Sequence, residues 1–377
     1  MDFALSDELE EFQKSVKDFL EAKGGTKVAR QLIRGNTKVL NQTFEGLAEL
    51  GATAATISDE NDGLGLGTEA LIPIFEELGR VLLPGTLLET LALAAPLIEK
   101  YGTEEQKKSY LPEIAAGTRT ISLAWLEPNK DYGAGDVQCS AKVKGDSFVL
   151  NGEKEMVPDA DAANTLLTVV RTSGGGGTEG ISLLLIDVED HLPMQLQSSF
   201  DETRHLAKIT FDEYDVPKGN LLGEMNDGWK VLQEGLLHLN AALASMMTGS
   251  IDEIVDTIAE YANIREQFGG PIGRFQAVKH PIVDMKMELE SARSLSYYAA
   301  WALENDAEDK EAAIYSARSF ATKAFIQAAS DAIQLHGGIG FTEEIDCHLF
   351  LKRARFYEHY LGSEVDFNEH IATSLGW

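Results

Sequence analysis

The spacing of the apolar residues changes twice along this chain, and that change limits the fold more than any other feature. Up to about residue 120 the apolar residues recur at helical spacing, as in Leu5, Leu9, Phe12 and Val16. Beyond that point, short runs rich in Val, Ile, Leu, Thr and Phe alternate with turn residues, which is typical of β-strands. From Gly228 the helical period returns in four longer segments.

The order of these patterns predicts an α+β protein in three parts. They are an N-terminal α-helical domain over residues 1–119, a middle β-barrel or β-sandwich domain over 120–222, and a C-terminal four-helix bundle over 223–377. We expect the long helices at about 228–264, 276–304, 309–336 and 344–360. Ser6 is a candidate N-cap of the first helix, because its hydroxyl can accept a bond from a first-turn amide. Asn151-Gly152 predicts a hairpin turn.

The charge of the chain excludes some partners. Its 377 residues carry a formal net charge of −29. This excess of acid argues against non-specific binding to nucleic acid or to an anionic lipid surface. Because salt screens charges over about 8–10 Å at physiological ionic strength, a local cluster of arginine side chains can still hold a small anionic ligand.

Three further features bear on location and on metal binding. No apolar run reaches the roughly 18 residues that a membrane-spanning helix needs, so we expect no membrane insertion. The first residues are acidic and lack the basic-then-apolar order of a signal peptide. Cys139 and Cys347 fit neither a disulfide framework nor a metal-ligand spacing. We therefore predict a cytoplasmic protein with no metal site.

Four local motifs follow one another along the chain. They are Trp125-Leu126-Glu127-Pro128 with Gly133-Ala134-Gly135-Asp136, Asp201-Glu202-Thr203-Arg204 with Phe211 to Pro217, Arg265-Glu266-Gln267-Phe268-Gly269 with Phe275-Gln276, and Gln334 to Phe341. In residue type and spacing they resemble the acyl-CoA dehydrogenase family, and the likeness covers nearly the whole chain. Each motif alone is a weak signal, but four in the same order are specific.

The resemblance implies an activity, a cofactor and partners. Members of this family bind FAD and an acyl-CoA, and they remove two hydrogens from the acyl Cα and Cβ. A carboxylate takes the Cα proton while the flavin takes the Cβ hydride. Electrons then usually pass to an electron-transferring flavoprotein. Members are commonly tetramers of homologous subunits, with FAD at a subunit interface.

The resemblance also implies which residues bind the nucleotide end of FAD. Arg265 would reach the pyrophosphate, since a guanidinium can donate two parallel hydrogen bonds to phosphate oxygens. Glycines in the turn after Gln334 would let the backbone approach the nucleotide closely. The full set implied for this end is Arg265, Phe268, Gln276, Gln334, Gly337 and Gly338.

At the flavin ring the chain departs from the family pattern. A typical member reads Lys-x-Trp-Ile-Thr-Asn after its Asn-Gly pair. Met156 stands here at the Trp position and Pro158 at the Thr position. Proline has neither a hydroxyl nor a backbone N–H. We therefore expect Met156 and Pro158 to lie beside the flavin without supplying the usual polar contacts.

The catalytic carboxylate is the larger departure. The family usually carries it in a Tyr-Glu-Gly-Thr loop, and this chain has Leu361 at that position. A second branch carries it on the first helix of the bundle, where this chain has Leu239. A positioned base contributes about 10²–10⁴-fold to such a reaction, and leucine cannot accept a proton. His238 and Glu364 are the substitute candidates.

Three functions stay open on this evidence. The chain is similar to base-lacking subunits of heteromeric acyl-CoA dehydrogenases, in which a homologous partner supplies the carboxylate and shares the FAD. Alternatively, it is a homotetrameric acyl-CoA dehydrogenase with a non-standard base. A third possibility is a non-catalytic protein that binds flavin or CoA. We favour the first.

Overall fold

A computed structural model of the chain describes residues 4–36, 38–188 and 191–377. Its α-helices are α1 (Asp7–Ala22), α2 (Lys27–Ile33), α3 (Lys38–Glu49), α4 (Leu71–Arg80), α5 (Leu87–Glu89), α6 (Ala95–Tyr101), α7 (Glu104–Ala115), α8 (Gly228–Ile264), α9 (Gln276–Glu304), α10 (Lys310–His336), α11 (Cys347–His359) and α12 (Glu364–Ser374). A π-helical segment, Thr90–Ala94, joins α5 to α6. The long helices predicted near the C-terminus are confirmed as α8 to α11.

The strands lie in the middle of the sequence, as predicted. They are β1 (Ile121–Ala124), β2 (Ser140–Lys144), β3 (Ser147–Pro158), β4 (Thr165–Arg171), β5 (Ile181–Asp187), β6 (Met194–Gln197), β7 (Leu206–Pro217) and β8 (Leu221–Leu222), with a short pair β9 (Glu266–Gln267) and β10 (Gly270–Pro271) after α8. The α+β fold class is therefore confirmed. No helix of the described ranges is both long and apolar enough to cross a bilayer.

The middle strands form one mixed sheet. Its order is β6-β7-β3-β2-β4-β5-β8, and β1 pairs with β4 off this path. The β1–β4 and β2–β4 pairs are parallel, whereas the other pairs along the sheet are antiparallel. A cluster of buried apolar side chains, among them Phe148, Leu166 and Leu184, forms the core of this region. We predicted a barrel or a sandwich for this region, and the strand pairing shows a single mixed sheet.

Of two predictions made from local sequence signals, the helix cap is correct and the hairpin turn is wrong. The Ser6 side chain accepts a bond from the Leu9 amide at 3.3 Å, which confirms the predicted N-cap. The hairpin predicted at Asn151-Gly152 is wrong, because both residues lie inside β3. The turn between β2 and β3 lies instead at Gly145-Asp146.

The Asn151-Gly152 pair has a different physical role. The register between β3 and β7 shifts there, because Asn151 lies opposite two residues of β7, Asp212 and Glu213. The pair therefore faces a β-bulge on β7. Gly152 has φ 147°, and a Cβ atom at this position would lie 2.8 Å from the Cα of Cys139. Glycine is needed because the neighbouring strand passes too close for a side chain.

Packing divides the chain into two compact units. One, here called the helical unit, comprises residues 1–39, 68–83 and 240–377; the other, the sheet unit, comprises 40–67 and 84–239. These units group segments that are distant in sequence. The predicted domain boundaries at 119 and 222 stay a prediction.

Within the helical unit, α4 and α8 touch backbone to backbone. A Cβ atom on Gly79 would lie 1.8 Å from the Met246 carbonyl oxygen, and one on Gly249 would lie 1.8 Å from the Glu76 oxygen. The Ser250 hydroxyl donates across the same contact to the Gly79 oxygen at 2.9 Å. Only glycine allows two helices to approach this closely.

Beside this contact lies a network rich in acidic side chains. Arg80 pairs with Asp252 at 2.5 Å and with Glu253 at 3.0 Å. The Gln13 amide of α1 donates to both Glu76 and Glu77 at 3.0 Å. Burial raises the pKa of Glu77 to about 7, although Arg80 and Lys17 act in the opposite direction and the Glu76 charge adds to the rise. Glu77 is therefore a buried acid that titrates near neutrality.

We predict that Gly249→Ala destabilises the protein. The methyl group has no space against the α4 backbone, so we expect the free energy of unfolding to fall by about 3 kcal/mol, at the upper end of overpacking costs. The expected loss contrasts with the usual gain of alanine over glycine in a helix. Chemical denaturation measures it. Gly175→Ala is the control, since a Cβ atom there meets nothing within 4 Å; equal midpoints for the two variants would contradict the packing argument.

We also predict that Glu77 makes stability depend on pH. Its folded pKa, about 7, lies above the ordinary value of 4.5, so its contribution is fully present below pH 4.5 and is lost as pH rises through 7. Between pH 5 and pH 8 the free energy of unfolding of the wild type should fall by on the order of 2–3 kcal/mol, and Glu77→Gln should abolish this fall. Denaturation midpoints across this range measure the effect. Glu260→Gln, an exposed acid on α8, should retain the wild-type slope.

Candidate functional site

In the sheet unit, a buried ion pair fixes the segment that follows β1. The Glu127 carboxylate accepts bonds from the Gln138 and Cys139 amides at 2.9–3.1 Å and from the Lys154 ammonium at 2.7 Å. Lys154 also donates to the Trp125 carbonyl at 3.0 Å. Hydrogen bonds satisfy both charges of this buried pair, as buried charges require. The pair therefore holds residues 125–127 beside the end of β3.

The end of β3 carries the two residues predicted at the flavin ring. Met156 has φ 54° and a side chain that is 40% exposed. Its amide donates to the Gln197 side chain at 2.9 Å. The carbonyl of the buried Pro158 accepts the Ser122 hydroxyl at 2.5 Å. These two backbone groups are thus already bonded within the protein.

An aromatic cluster that the sequence analysis missed lies beside this segment. Trp125 packs edge-on against Tyr132 and Trp229, with ring centroids 5.0 and 5.7 Å apart. Its indole N–H is buried and has no hydrogen-bond partner in the described parts of the chain. The sequence signal was available in Trp125 and Tyr132, which flank the Glu127 motif, but nothing local pointed to Trp229.

In the helical unit, the hairpin after α8 carries Arg265 and Phe268. The Arg265 amide continues the helical bonding by donating to the Tyr261 carbonyl at 2.8 Å. Strands β9 and β10 then pair around Phe268, which has φ 53° and is 87% exposed. Phe268 meets the Phe275 ring edge-on at 6.0 Å, so Gln276, the first residue of α9, lies beside the hairpin.

The turn after α10 lies at the same end of the helical unit. Gly337 has φ 65°, and a Cβ atom on Gly337 or Gly338 would meet nothing within 4 Å. The Tyr261 hydroxyl donates to the His336 carbonyl at 3.3 Å, and the two rings are 4.3 Å apart. Tyr261 therefore ties the end of α8, where Arg265 follows, to the glycine turn.

Three long polar side chains at this end are available to a ligand. The side chains of Arg265, Gln276 and Gln334 belong to exposed residues and have no hydrogen-bond or ion-pair partner in residues 4–36, 38–188 or 191–377. Together with the open glycine turn they offer a cation, amide groups and accessible backbone. That donor set suits a phosphate-bearing ligand.

Both positions at which the resemblance implies a catalytic carboxylate are apolar and buried here. Leu361 lies between α11 and α12 with φ 67° and is 7% exposed, and Leu239, in the sheet unit, is 0% exposed. His238 is half-buried. Glu364 lies on the surface and pairs with Lys323 at 2.6 Å, and this hydrogen bond lowers the pKa of its carboxyl. Glu364 is thus held in a surface ion pair.

The loop that carries Leu361 is held by an arginine that the sequence analysis also missed. Arg318 of α10 is fully buried and donates to the Tyr357 carbonyl at 2.5 Å and to the Tyr360 carbonyl at 3.1 Å. Its Nε donates to the Asn240 side chain at 3.2 Å. In sequence Arg318 lies in an ordinary helical pattern, far from the motifs, so no local signal marked it.

Comparison with known proteins gives consistent relatives. The family models for the acyl-CoA dehydrogenase N-terminal and C-terminal domains match residues 6–118 and 226–375. A probable acyl-CoA dehydrogenase of Bacillus subtilis is 31% identical over 364 residues, which cover 95% of each chain. An acryloyl-CoA reductase (NADH) of Anaerotignum propionicum is 29% identical, over 96% of this chain and 93% of its own.

Solved structures of acyl-CoA dehydrogenases are also similar to this chain. Butyryl-CoA dehydrogenase from Megasphaera elsdenii has a TM-score of 0.92 at 26% identity, with 100% of both chains covered. A glutaryl-coenzyme A dehydrogenase in complex with glutaryl-CoA has a TM-score of 0.91 at 27% identity and covers 100% of this chain and 97% of its own. The resemblance inferred from the motifs is confirmed: this chain belongs to the acyl-CoA dehydrogenase family of oxidoreductases.

Proposed function

We propose that this chain is an FAD-binding subunit of an acyl-CoA dehydrogenase that lacks the catalytic base. A homologous partner would supply the carboxylate and share the FAD. The observation that carries this proposal is the pair of buried leucines, Leu361 and Leu239, at the two positions where the family keeps its base. A fully apolar side chain cannot remove the acidic Cα proton of a thioester at either position.

The nucleotide end of FAD fits the helical unit. Arg265 is exposed and unpaired within the described residues, so its fork of donors can meet a pyrophosphate. The positive φ at Gly337 and the free space at Gly338 allow the backbone to lie against the nucleotide. Gln276, Gln334 and the exposed ring of Phe268 complete the set that would hold this end.

The flavin end fits less well, and this favours shared binding. When bound, FAD would supply the acceptor for the hydride from the acyl Cβ. Beside the ring, Met156 would offer only an apolar side chain, and Pro158 would offer neither a hydroxyl nor an N–H. The Met156 amide and the Pro158 carbonyl are already bonded to Gln197 and Ser122. The chain would therefore bind FAD chiefly through the nucleotide end, and a partner with the usual polar residues would hold the ring.

The expected partners follow from the same assignment. Acyl-CoA would be the substrate of the assembly, and the subunit would stand in a heterotetramer with the base-carrying homologue, with electron-transferring flavoprotein as the electron acceptor. The relatives named for butyryl-CoA and glutaryl-CoA support a thioester substrate. The chain's role would be to complete the assembly and to fix the nucleotide of the shared FAD.

One observation favours the second candidate, a self-sufficient enzyme that uses His238. Glu234 lies one helical turn before His238, and the two side chains interact electrostatically. Burial acts to raise the pKa of Glu234, but hydrogen bonds from Lys100 and Tyr101 outweigh it and lower the pKa. An ionised Glu234 would help His238 accept a proton. The first candidate is preferred because it does not need a new base.

The first test asks whether the chain reduces FAD unaided. Wild-type protein expressed alone and loaded with FAD should not lose its flavin absorbance when acyl-CoA is added without oxygen. Leu361→Glu should reduce the flavin at least about a hundredfold faster than the matched control Leu361→Gln, because only glutamate restores a base. Stopped-flow absorbance measures both rates.

Full-strength reduction by the wild-type chain would defeat the partner-subunit proposal. His238→Ala would then test the second candidate, since loss of that reduction would assign the base to His238. Equal rates for Leu361→Glu and Leu361→Gln would instead mean that position 361 does not face the acyl group.

The second test concerns the nucleotide end of FAD. We expect Arg265→Ala to lower the flavin-to-protein ratio of the purified assembly, because it removes the cation that faces the pyrophosphate. Arg265→Lys should retain part of the binding, since it keeps the charge without the fork. Arg355→Ala is the control, because Arg355 is exposed and its ion pair among the described residues is with Glu358 of the same helix at 2.8 Å. Unchanged flavin content in Arg265→Ala would contradict the pyrophosphate role.

A further inference from the structure

Arg318 is a buried cation to which no carboxylate of the described residues is bonded. Its exposed fraction is 0%, and within the described ranges its side chain bonds only to neutral groups: the Asn240 amide oxygen, the Thr322 hydroxyl, the Met247 sulfur and two backbone carbonyls. The Phe367 ring lies 4.8 Å from the guanidinium carbon. A buried charge is costly unless its donors are all satisfied, and here neutral acceptors satisfy them.

The two carbonyls explain why neutral partners are enough. Tyr357 lies in the last turn of α11, and Tyr360 is its C-cap residue. The last carbonyls of a helix lack intrahelical donors and carry the negative end of the helix dipole. The Arg318 guanidinium therefore caps α11 from the side, and the helix end supplies the negative potential that a carboxylate would otherwise provide.

The capped segment continues directly into position 361. The Tyr360 carbonyl that Arg318 binds belongs to the peptide group joined to Leu361. Leu361 then adopts φ 67°, a conformation that a leucine rarely takes and that the surroundings must hold. Downstream, the Ser363 amide and hydroxyl both bond the Asp366 carboxylate at 2.7 Å. The loop Tyr360–Ser363 is thus fixed at both ends.

We propose that Arg318 is the positioning residue of the loop Tyr360–Ser363: it holds the loop in a fixed conformation and places a positive charge beside position 361. The chain would thus keep an ordered loop next to the Arg318 cation, although the loop carries Leu361 in place of a carboxylate. The part of this inference that concerns charge at position 361 rests on the proposed function; the part that concerns the loop conformation does not.

The first experiment measures the loop itself. Amide hydrogen exchange of peptides covering 357–363 is compared between wild type and Arg318→Met, which keeps the length of the side chain without its donors. We expect exchange in this segment to speed up at least tenfold. Arg318→Lys should give an intermediate rate, since one ammonium can reach fewer carbonyls. Arg355→Met, on the exposed face of the same helix α11, should match wild type.

Unchanged exchange in both Arg318 variants would overturn the proposal. Should Arg318→Met fail to fold, Arg318→Lys and Thr322→Val, which removes one neutral partner, carry the test. A uniform rise in exchange across the whole helical unit would also count against it, because general destabilisation is not loop positioning.

The second experiment tests the charge. In the Leu361→Glu background, adding Arg318→Gln should move the acidic limb of the pH profile of flavin reduction upward by about one unit, because a nearby cation favours the ionised carboxylate. A purely structural Arg318 would lower the rate equally at all pH values. A rate loss without a shift would therefore overturn the charge role. Reduction by the wild-type chain alone would defeat the proposed function but would leave the exchange result intact.

Discussion

The backbone contact between α4 and α8 is the constraint on which much of the helical unit depends. Because Gly79 and Gly249 bring the two helices within van der Waals distance of each other's carbonyls, neither helix can shift without breaking the contact. Side chains on both sides must then satisfy their polar groups in a confined space. The acid-rich network around Arg80 follows from this closeness: four of its carboxylates, those of Glu77, Asp252, Glu253 and Asp256, converge on the Arg80 guanidinium.

The sequence was a good guide where the signal was periodic or local. The long amphipathic runs predicted α8 to α11 within a few residues, and the Ser6 hydroxyl marked the start of α1. It failed where one residue's role depends on a distant strand. Asn151-Gly152 has the composition of a hairpin turn, but the glycine is needed because the Cα of Cys139, the residue before β2, lies 2.8 Å from where its Cβ would be. Turn propensity does not distinguish a tight turn from a close approach.

The same distinction between local signals and tertiary packing applies to the candidate site. The motifs marked Arg265 and the glycine turn because these residues carry their chemistry in their own side chains and backbone, and their role toward FAD stays a prediction. The structure brings the two segments together through Tyr261. Arg318 and Trp229 were not predicted, because each acquires its surroundings only through tertiary packing. A buried arginine on a helix has the same sequence appearance as an exposed one. The motifs identified position 361 as that of the usual carboxylate. Nothing in the sequence pointed to the Arg318 guanidinium, which bonds the carbonyl of the preceding residue, Tyr360.

The exposed hairpin tip has a consequence for the behaviour of the isolated chain. Phe268 is 87% exposed, and Ile264 and Phe341 are 69% and 73% exposed. Covering a phenyl side chain is worth about 1.5–3 kcal/mol, so this end of the helical unit favours contact with another surface. Repulsion between copies that each carry a charge of −29 opposes such contact in dilute buffer. Added salt weakens the repulsion but not the apolar attraction, so the ionic strength of a buffer sets whether the free chain stays dispersed.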